Sequence, residues 1–223
     1  MWLEGRLASE YVTLIRDPVY YGRGVPHGDG RPVLLIPGFL AGDQTLLTMQ
    51  AWLRRLGYKP ELSGIRFNVR HSEVTVEAVL QRLYAHHRRT KQKVAIVGHS
   101  RGGLLAKVIA DRNPELVSQV IALGSPLNEA LDIHPLTMAA VHAARIYNRL
   151  RYWSLSDTED DFMAQLAAPP AVPVTSIYTR SDGVVNWKAC LRPDVKTIEV
   201  RGSHGGLGVN AEVYHHLAHL LPR

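Results

Sequence analysis

The chain has 223 residues, 46% of them hydrophobic, with a formal charge of +6 and a single cysteine, Cys190. That length and apolar content suit a single domain, residues 1–223, around one sizeable core and argue against disorder. A lone cysteine excludes an intramolecular disulfide and leans toward a reducing compartment. The first residues, Met1-Trp2-Leu3-Glu4-Gly5-Arg6, lack the basic-then-apolar order of a secretory signal. No apolar run nears the roughly 18 residues of a membrane span. A soluble, cytoplasmic protein without an integral membrane segment is expected, with a secreted mature form as the alternative. The densest positive cluster, His86-His87-Arg88-Arg89-Thr90-Lys91, falls at the end of a predicted helix, where cations complement the dipole. No aromatic interleaving accompanies it, so no nucleic-acid partner is expected.

In chain order, Tyr11, Leu14, Ile15 and Val19 form a helical stripe over residues 8–21, broken at Pro18, and a glycine- and proline-rich loop fills 22–32. Val33-Leu34-Leu35-Ile36 is a continuous apolar run, the pattern of a central parallel strand covered on both faces. It ends in the turn Pro37-Gly38-Phe39-Leu40-Ala41-Gly42, at the strand end where an open α/β sheet places its ligand crevice. Leu46, Met49, Trp52, Leu53 and Leu56 predict a helix over 45–56, stopped by Gly57. Residues 58–67 read as a shorter strand, and Val76, Val79, Leu80, Leu83 and Tyr84 mark a helix over 72–89.

Next comes Gly98-His99-Ser100-Arg101-Gly102, between the β-branched run 93–97 and the helical segment 104–110. A Gly-x-Ser-x-Gly turn from strand to helix holds its serine on a strained, exposed corner, with glycines two residues either side because a Cβ would clash there. The serine stands at a helix N-terminus, whose partial positive charge favours a developing oxyanion. Ser100 is therefore the candidate nucleophile, and the backbone N–H groups of Phe39 and Arg101 are the candidate oxyanion hole.

After a strand over 117–123, residues 127–170 break the strand–helix alternation. Pro135 opens a helix with Leu136, Ala139, Ala143, Ile146 and Leu150 on one face and Met138 and Val141 off it. Ser156 and Glu159 form a capping-box pair before Phe162, Met163 and Leu166. The pair reads either as a cap or lid over the catalytic edge or as two ordinary packing helices. Strands follow at 172–179 and 195–200. The alternation predicts an α/β fold with a mostly parallel, doubly covered sheet.

A serine hydroxyl needs an imidazole to take its proton and a carboxylate to orient that imidazole. Asp182 directly follows one strand and His204, in Gly202-Ser203-His204-Gly205-Gly206, follows the next, so both belong to the same sheet edge as Ser100. His99 is expected to turn away from the elbow into packing or a local hydrogen bond, while His134 and His142 could line a pocket. His215 and His219, at i and i+4, could hold a metal but lack a third ligand. Asp194 starts a strand at the wrong end of the sheet, and Asp157, Asp160 and Asp161 read as first-turn helix charges.

GHSRGG at 98–103, SDGVVNW at 181–187 and GSHGGLGVN at 202–210 together resemble the α/β-hydrolase family, specifically its small bacterial lipase and esterase branch. The resemblance runs from about residue 33 to the C-terminus and departs at Pro37-Gly38-Phe39, where many relatives have His-Gly. It implies carboxylic-ester hydrolysis through an acyl-enzyme, with Ser100 as nucleophile, His204 as base then acid, Asp182 as orienter, and the Phe39 and Arg101 amides as the oxyanion hole. It implies no cofactor and no metal. A monomer acting on a small-molecule or lipid ester is expected, and the apolar cover, with no convergent charged cluster expected, favours an acyl chain over a charged acyl group. The alternatives are an acyltransferase using the same residues or a catalytically silent binding protein on the same fold.

Overall fold

The computed structural model describes residues 6–152 and 158–222. Its centre is a six-stranded sheet of β1 (Pro32–Ile36), β2 (Lys59–Leu62), β3 (Val94–His99), β4 (Val117–Leu123), β5 (Val174–Tyr178) and β6 (Lys196–Glu199). The strands lie in the order β2-β1-β3-β4-β5-β6, and every neighbouring pair is parallel. Seven α-helices accompany them: α1 (Leu7–Arg16), α2 (Leu47–Arg55), α3 (Ser72–Thr90), α4 (Arg101–Arg112), α5 (Pro135–Arg151), α6 (Thr158–Ala167) and α7 (Ala211–Leu220). Among the described residues no helix is long and apolar enough to cross a membrane.

Because side chains alternate across a strand, each apolar run feeds two cores. Val33, Leu35, Val97, Ile121 and Ile177 point to one face, where Leu14 of α1, Trp52 and Leu53 of α2 and Tyr214 and Leu217 of α7 cover them. Leu34, Ile36, Ile96, Val120 and Val174 point to the other, under Val79 and Leu83 of α3, Leu105 and Ile109 of α4 and Phe162 and Leu166 of α6. This double covering is why β1 is buried at every position.

Three expectations change. The strand over 58–67 stops at Leu62, because the Asp43 carboxylate takes over from the ladder: it accepts from Ser63 Oγ and from the Gly64 N–H, each at 2.7 Å. The helix over 8–21 ends at Arg16, and Pro18 starts a separate 3-10 turn to Tyr21, with the Asp17 side chain accepting from the Val19 N–H. The largest change is in α5. Its regular stripe, Leu136, Ala139, Ala143, Ile146 and Leu150, faces solvent, and Asn148 is the buried residue of this helix. Helix α6 packs on α3 and α4, and its last carbonyls receive the buried Lys107 ammonium, which donates to Gln165 O at 2.8 Å and Ala168 O at 2.7 Å. Ser156, half of the expected capping box, lies outside the described residues.

Candidate active site

The turn from β3 to α4 has the backbone its glycines predict. Ser100 sits at φ 52° and ψ −122°, a conformation that L residues rarely adopt and that persists where the surroundings over-determine it. A Cβ on Gly98 would lie 2.4 Å from the Gly102 carbonyl oxygen, and one on Gly102 would lie 2.3 Å from that of Ile36. The turn after β1 presses on the same corner: a Cβ on Gly38 would come within 3.1 Å of the Ser100 Cβ. That turn is closed by the Ala41 N–H to Gly38 O at 3.2 Å and by the Leu40 N–H to Asn68 O at 3.3 Å, bonds that leave the Phe39 amide out. Asn68, buried, completes the brace by donating through Nδ2 to Pro37 O at 2.8 Å.

Asp182 and His204 meet at the same edge. His204 Nδ1 and Asp182 Oδ2 are 2.6 Å apart, with both side chains almost entirely out of solvent. The other carboxylate oxygen accepts from the Val184 and Val185 N–H groups at 2.8 and 2.7 Å, which fixes the carboxylate plane. With Nδ1–H donated to the carboxylate, the lone pair of the neutral imidazole is on Nε2. The pair lies over the end of β4: a Cβ on Gly124 would be 3.2 Å from His204 Nδ1 and 3.3 Å from Asp182 Oδ2. One residue back, Leu123 O accepts from the Ser100 N–H at 2.8 Å. His99 closes the circuit by donating through Nε2 to the His204 carbonyl at 2.9 Å, its ring 4.9 Å from that of His204. The structure thus bonds Asp182 to His204, and the segment of Ser100 meets that pair twice, through its own N–H on Leu123 beside Gly124 and through His99 on the His204 carbonyl.

The loop carrying His204 is pinned on several sides. Glu10 of α1 accepts from the Ser203 N–H at 2.8 Å and from the Ser203 hydroxyl at 3.1 Å. The Thr179 and Ser181 hydroxyls both donate to Gly202 O, at 3.1 and 2.6 Å, tying the aspartate loop to the histidine loop. None of these braces was evident in the sequence. Asn68 and Glu10 lie 32 and 90 residues from Ser100 with no motif around them, and His99 was expected to turn away, whereas it contacts His204.

A cavity of about 450 Å³ opens at Ser100, lined also by Phe39, Leu104, Val141, Met163 and Val185. Arg70, Arg101, Arg145, Arg149 and Glu159 share its wall, so the expected lack of a convergent charged cluster does not hold. Arg101 is tied down inside: its guanidinium donates to Asn68 Oδ1 at 2.9 Å and to Arg70 O at 2.7 Å. Burial pushes its pKa down to about 10, against the pull of Glu159, so it stays charged at neutral pH. His134 and His142 do not line this cavity. The first caps α5 by accepting from the Leu136 N–H, and the second is exposed. Asp160 does line it, Asp157 lies outside the described residues, and Asp194 pairs with Arg192, which holds its carboxyl below the usual range. His215 pairs with Asp17 at 3.0 Å, and among the described residues no group of three or more His, Cys, Asp or Glu is placed to hold a metal. Cys190 is buried, and desolvation followed by the Asp182 charge pushes its thiol up to about 12.

A parallel sheet with this strand order, helices on both faces and a serine on a strained β3–α4 corner is the α/β-hydrolase fold. The chain belongs to the PGAP1-like alpha/beta domain family, whose model matches residues 68–186, more than half of its length. The match takes in Ser100 and Asp182 and stops before His204. Among solved structures, the mature lipase BlEst2 of Bacillus licheniformis superposes with a TM-score of 0.63 at 13% identity, over 89% of this chain and 94% of that one. The monoacylglycerol lipase of Paleococcus ferrophilus gives 0.60 at 15% identity, over 86% and 96%. The thioesterase domain from the curacin biosynthetic pathway gives 0.53 at 16% identity, over 89% and 93%. No curated protein matches the sequence.

Proposed function

We propose that the protein is a serine hydrolase that cleaves carboxylic esters through an acyl-enzyme, with Ser100, His204 and Asp182 as its catalytic residues. The observation that carries this reading is the 2.6 Å Asp182–His204 pair at the sheet edge where Ser100 is held at φ 52°. In the first half-reaction Ser100 Oγ attacks the ester carbonyl carbon while His204 Nε2 takes the hydroxyl proton. The carbonyl oxygen becomes an oxyanion, met by the Phe39 and Arg101 N–H groups. Collapse of the intermediate breaks the bond to the alcohol, which leaves with the proton from His204. Water then attacks the acyl-enzyme, gives its proton to His204, and releases the carboxylic acid and Ser100. Asp182, pinned by two backbone amides, keeps His204 in the tautomer the attack requires and stabilises the imidazolium.

The lipase and esterase likeness of the fold supports ester hydrolysis, and the cavity, apolar with four arginines against Glu159 and Asp160, supports an acyl group with a polar portion. In this reading the whole chain is one hydrolase domain, and residues 127–170 are its cover, with α5 walling the cavity. A fluorophosphonate probe is expected to label Ser100, and Ser100→Ala is expected to abolish labelling and cut p-nitrophenyl ester turnover by about a thousandfold or more. Undiminished hydrolysis in that variant would sink the assignment, as would an unlabelled Ser100 in the wild type.

A further inference from the structure

Helix α5 carries an apolar face that no other element among the described residues covers. Leu136 is 59% exposed, Ile146 64%, Tyr147 62% and Leu150 80%, and Ala139 and Ala143 between them are exposed too. At 3.6 residues per turn these six positions form one continuous stripe, about 21 Å long from Leu136 to Leu150. A solvated aliphatic strip of this kind marks an interaction surface rather than ordinary surface scatter.

The helix is not free to roll the stripe inward. On its inner side Val141, Ala144 and Arg145 wall the cavity, and Asn148 Nδ2 donates to Val69 O at 2.7 Å. At its start the His134 N–H donates to Val184 O at 2.7 Å, beside a bridge between Ile133 and Val185, so the helix is tied to the segment that follows Asp182. Its outward face is settled by these contacts.

Charge decides what the stripe meets. The seventeen residues of α5 include Arg145, Arg149 and Arg151 and no aspartate or glutamate. On the helical wheel Arg151 borders the stripe on one side, and Arg149 with His142 borders it on the other. Of the two acids that line the cavity, Glu159 is engaged by the Ser72 hydroxyl at 2.8 Å and by His71 at 3.4 Å, and Asp160 stands exposed on α6. An aliphatic strip with a tyrosine, edged by arginines whose stems reach over apolar surface while their heads stay in water, matches the boundary between acyl chains and anionic headgroups.

We infer that α5 is a membrane-docking helix, laying Leu136, Ile146, Tyr147 and Leu150 into the surface of a bilayer rich in anionic lipid and bringing the cavity mouth to that surface. The inference stands apart from the ester-hydrolysis reading, because its readout is binding and not turnover. The test is co-sedimentation of the full chain with phosphatidylcholine vesicles with and without phosphatidylglycerol. The wild type is expected to bind the anionic vesicles, more weakly as salt rises. Ile146→Glu/Leu150→Glu is expected to lower that affinity by roughly a hundredfold, the loss of two inserted aliphatic side chains. Arg151→Gln should lower it about fivefold and only on anionic vesicles. Ile146→Ser/Leu150→Ser, which adds no charge, guards against a folding artefact, with thermal melting as the check. A wild type that stays in the supernatant overturns the inference, and so does a double variant that binds as the wild type does. A wild-type dimer in sedimentation equilibrium that the glutamate variant splits overturns it in favour of a second copy of the chain.

Discussion

Helices α4 and α5 are both rich in alanine and aliphatic residues, yet they have opposite fates. In α4 every residue from Gly102 to Ala110 is buried, because the helix lies between the sheet and the pair α3 and α6. In α5 Asn148 is buried while the four large apolar residues of its stripe stand in solvent. The difference shows that an apolar stripe reports a surface that wants covering, not one that has been covered by the same chain. It also separates two kinds of constraint. Helix α4 is held by packing and sets the serine corner, whereas α5 is held by a few polar ties and walls the cavity.

The sharpest way to break this contrast is at Lys107, the charged residue in the buried run of α4. Its ammonium meets Asp111 Oδ2 at 2.6 Å and two carbonyls at the end of α6. Lys107→Met would leave a carboxylate and two carbonyls without their partner, at a cost of about 3–5 kcal/mol in a urea-unfolding measurement. Leu105→Ala, in the same helix and fully buried, should cost about 2–5 kcal/mol, while Leu150→Ala in α5 should stay within about 0.5 kcal/mol. Equal losses at the two leucines would show that the stripe of α5 is covered after all. A small effect is also expected at Asn148. Its Nδ2 holds Val69 O, but its buried Oδ1 has no hydrogen-bond partner among the described residues, so Asn148→Ala exchanges one lost bond for one relieved group. A stability change of about 1 kcal/mol or less is expected, with faster amide exchange along α5 as the distinguishing signal.

Much of the scaffold was legible without coordinates. The runs at 33–36, 93–97 and 117–123 read as buried parallel strands, and they are. Gly98 announced the sharp turn, because the clash it avoids is with the Gly102 carbonyl only four residues on, whereas the atom that crowds Gly102 is the Ile36 carbonyl of β1. Strand alternation alone put Asp182 and His204 at one edge of the sheet, and in the structure the two side chains are 2.6 Å apart. Where the reading failed, the cause was distance along the chain or a neighbour that periodicity does not encode. The strand after Tyr58 looked longer because its ladder is cut by a side chain twenty residues earlier, Asp43. The cavity charges were invisible because Arg70, Arg101, Arg145 and Glu159 come from four separate segments.

The sequence by itself determined the alternating α/β layout and the tight corner from Gly98 to Gly102, since side-chain period and the clash between those two residues are local properties that hold wherever the segment ends up. The need for glycine at 102 also comes from β1 packed against it. Tertiary structure alone decided that Glu10 braces the loop of His204 from 193 residues away and that His99 turns toward His204. It also decided which face of α5 looks outward. A stripe every three or four residues has the same pattern whether it meets a core or a solvent, and only the packed chain tells the two apart.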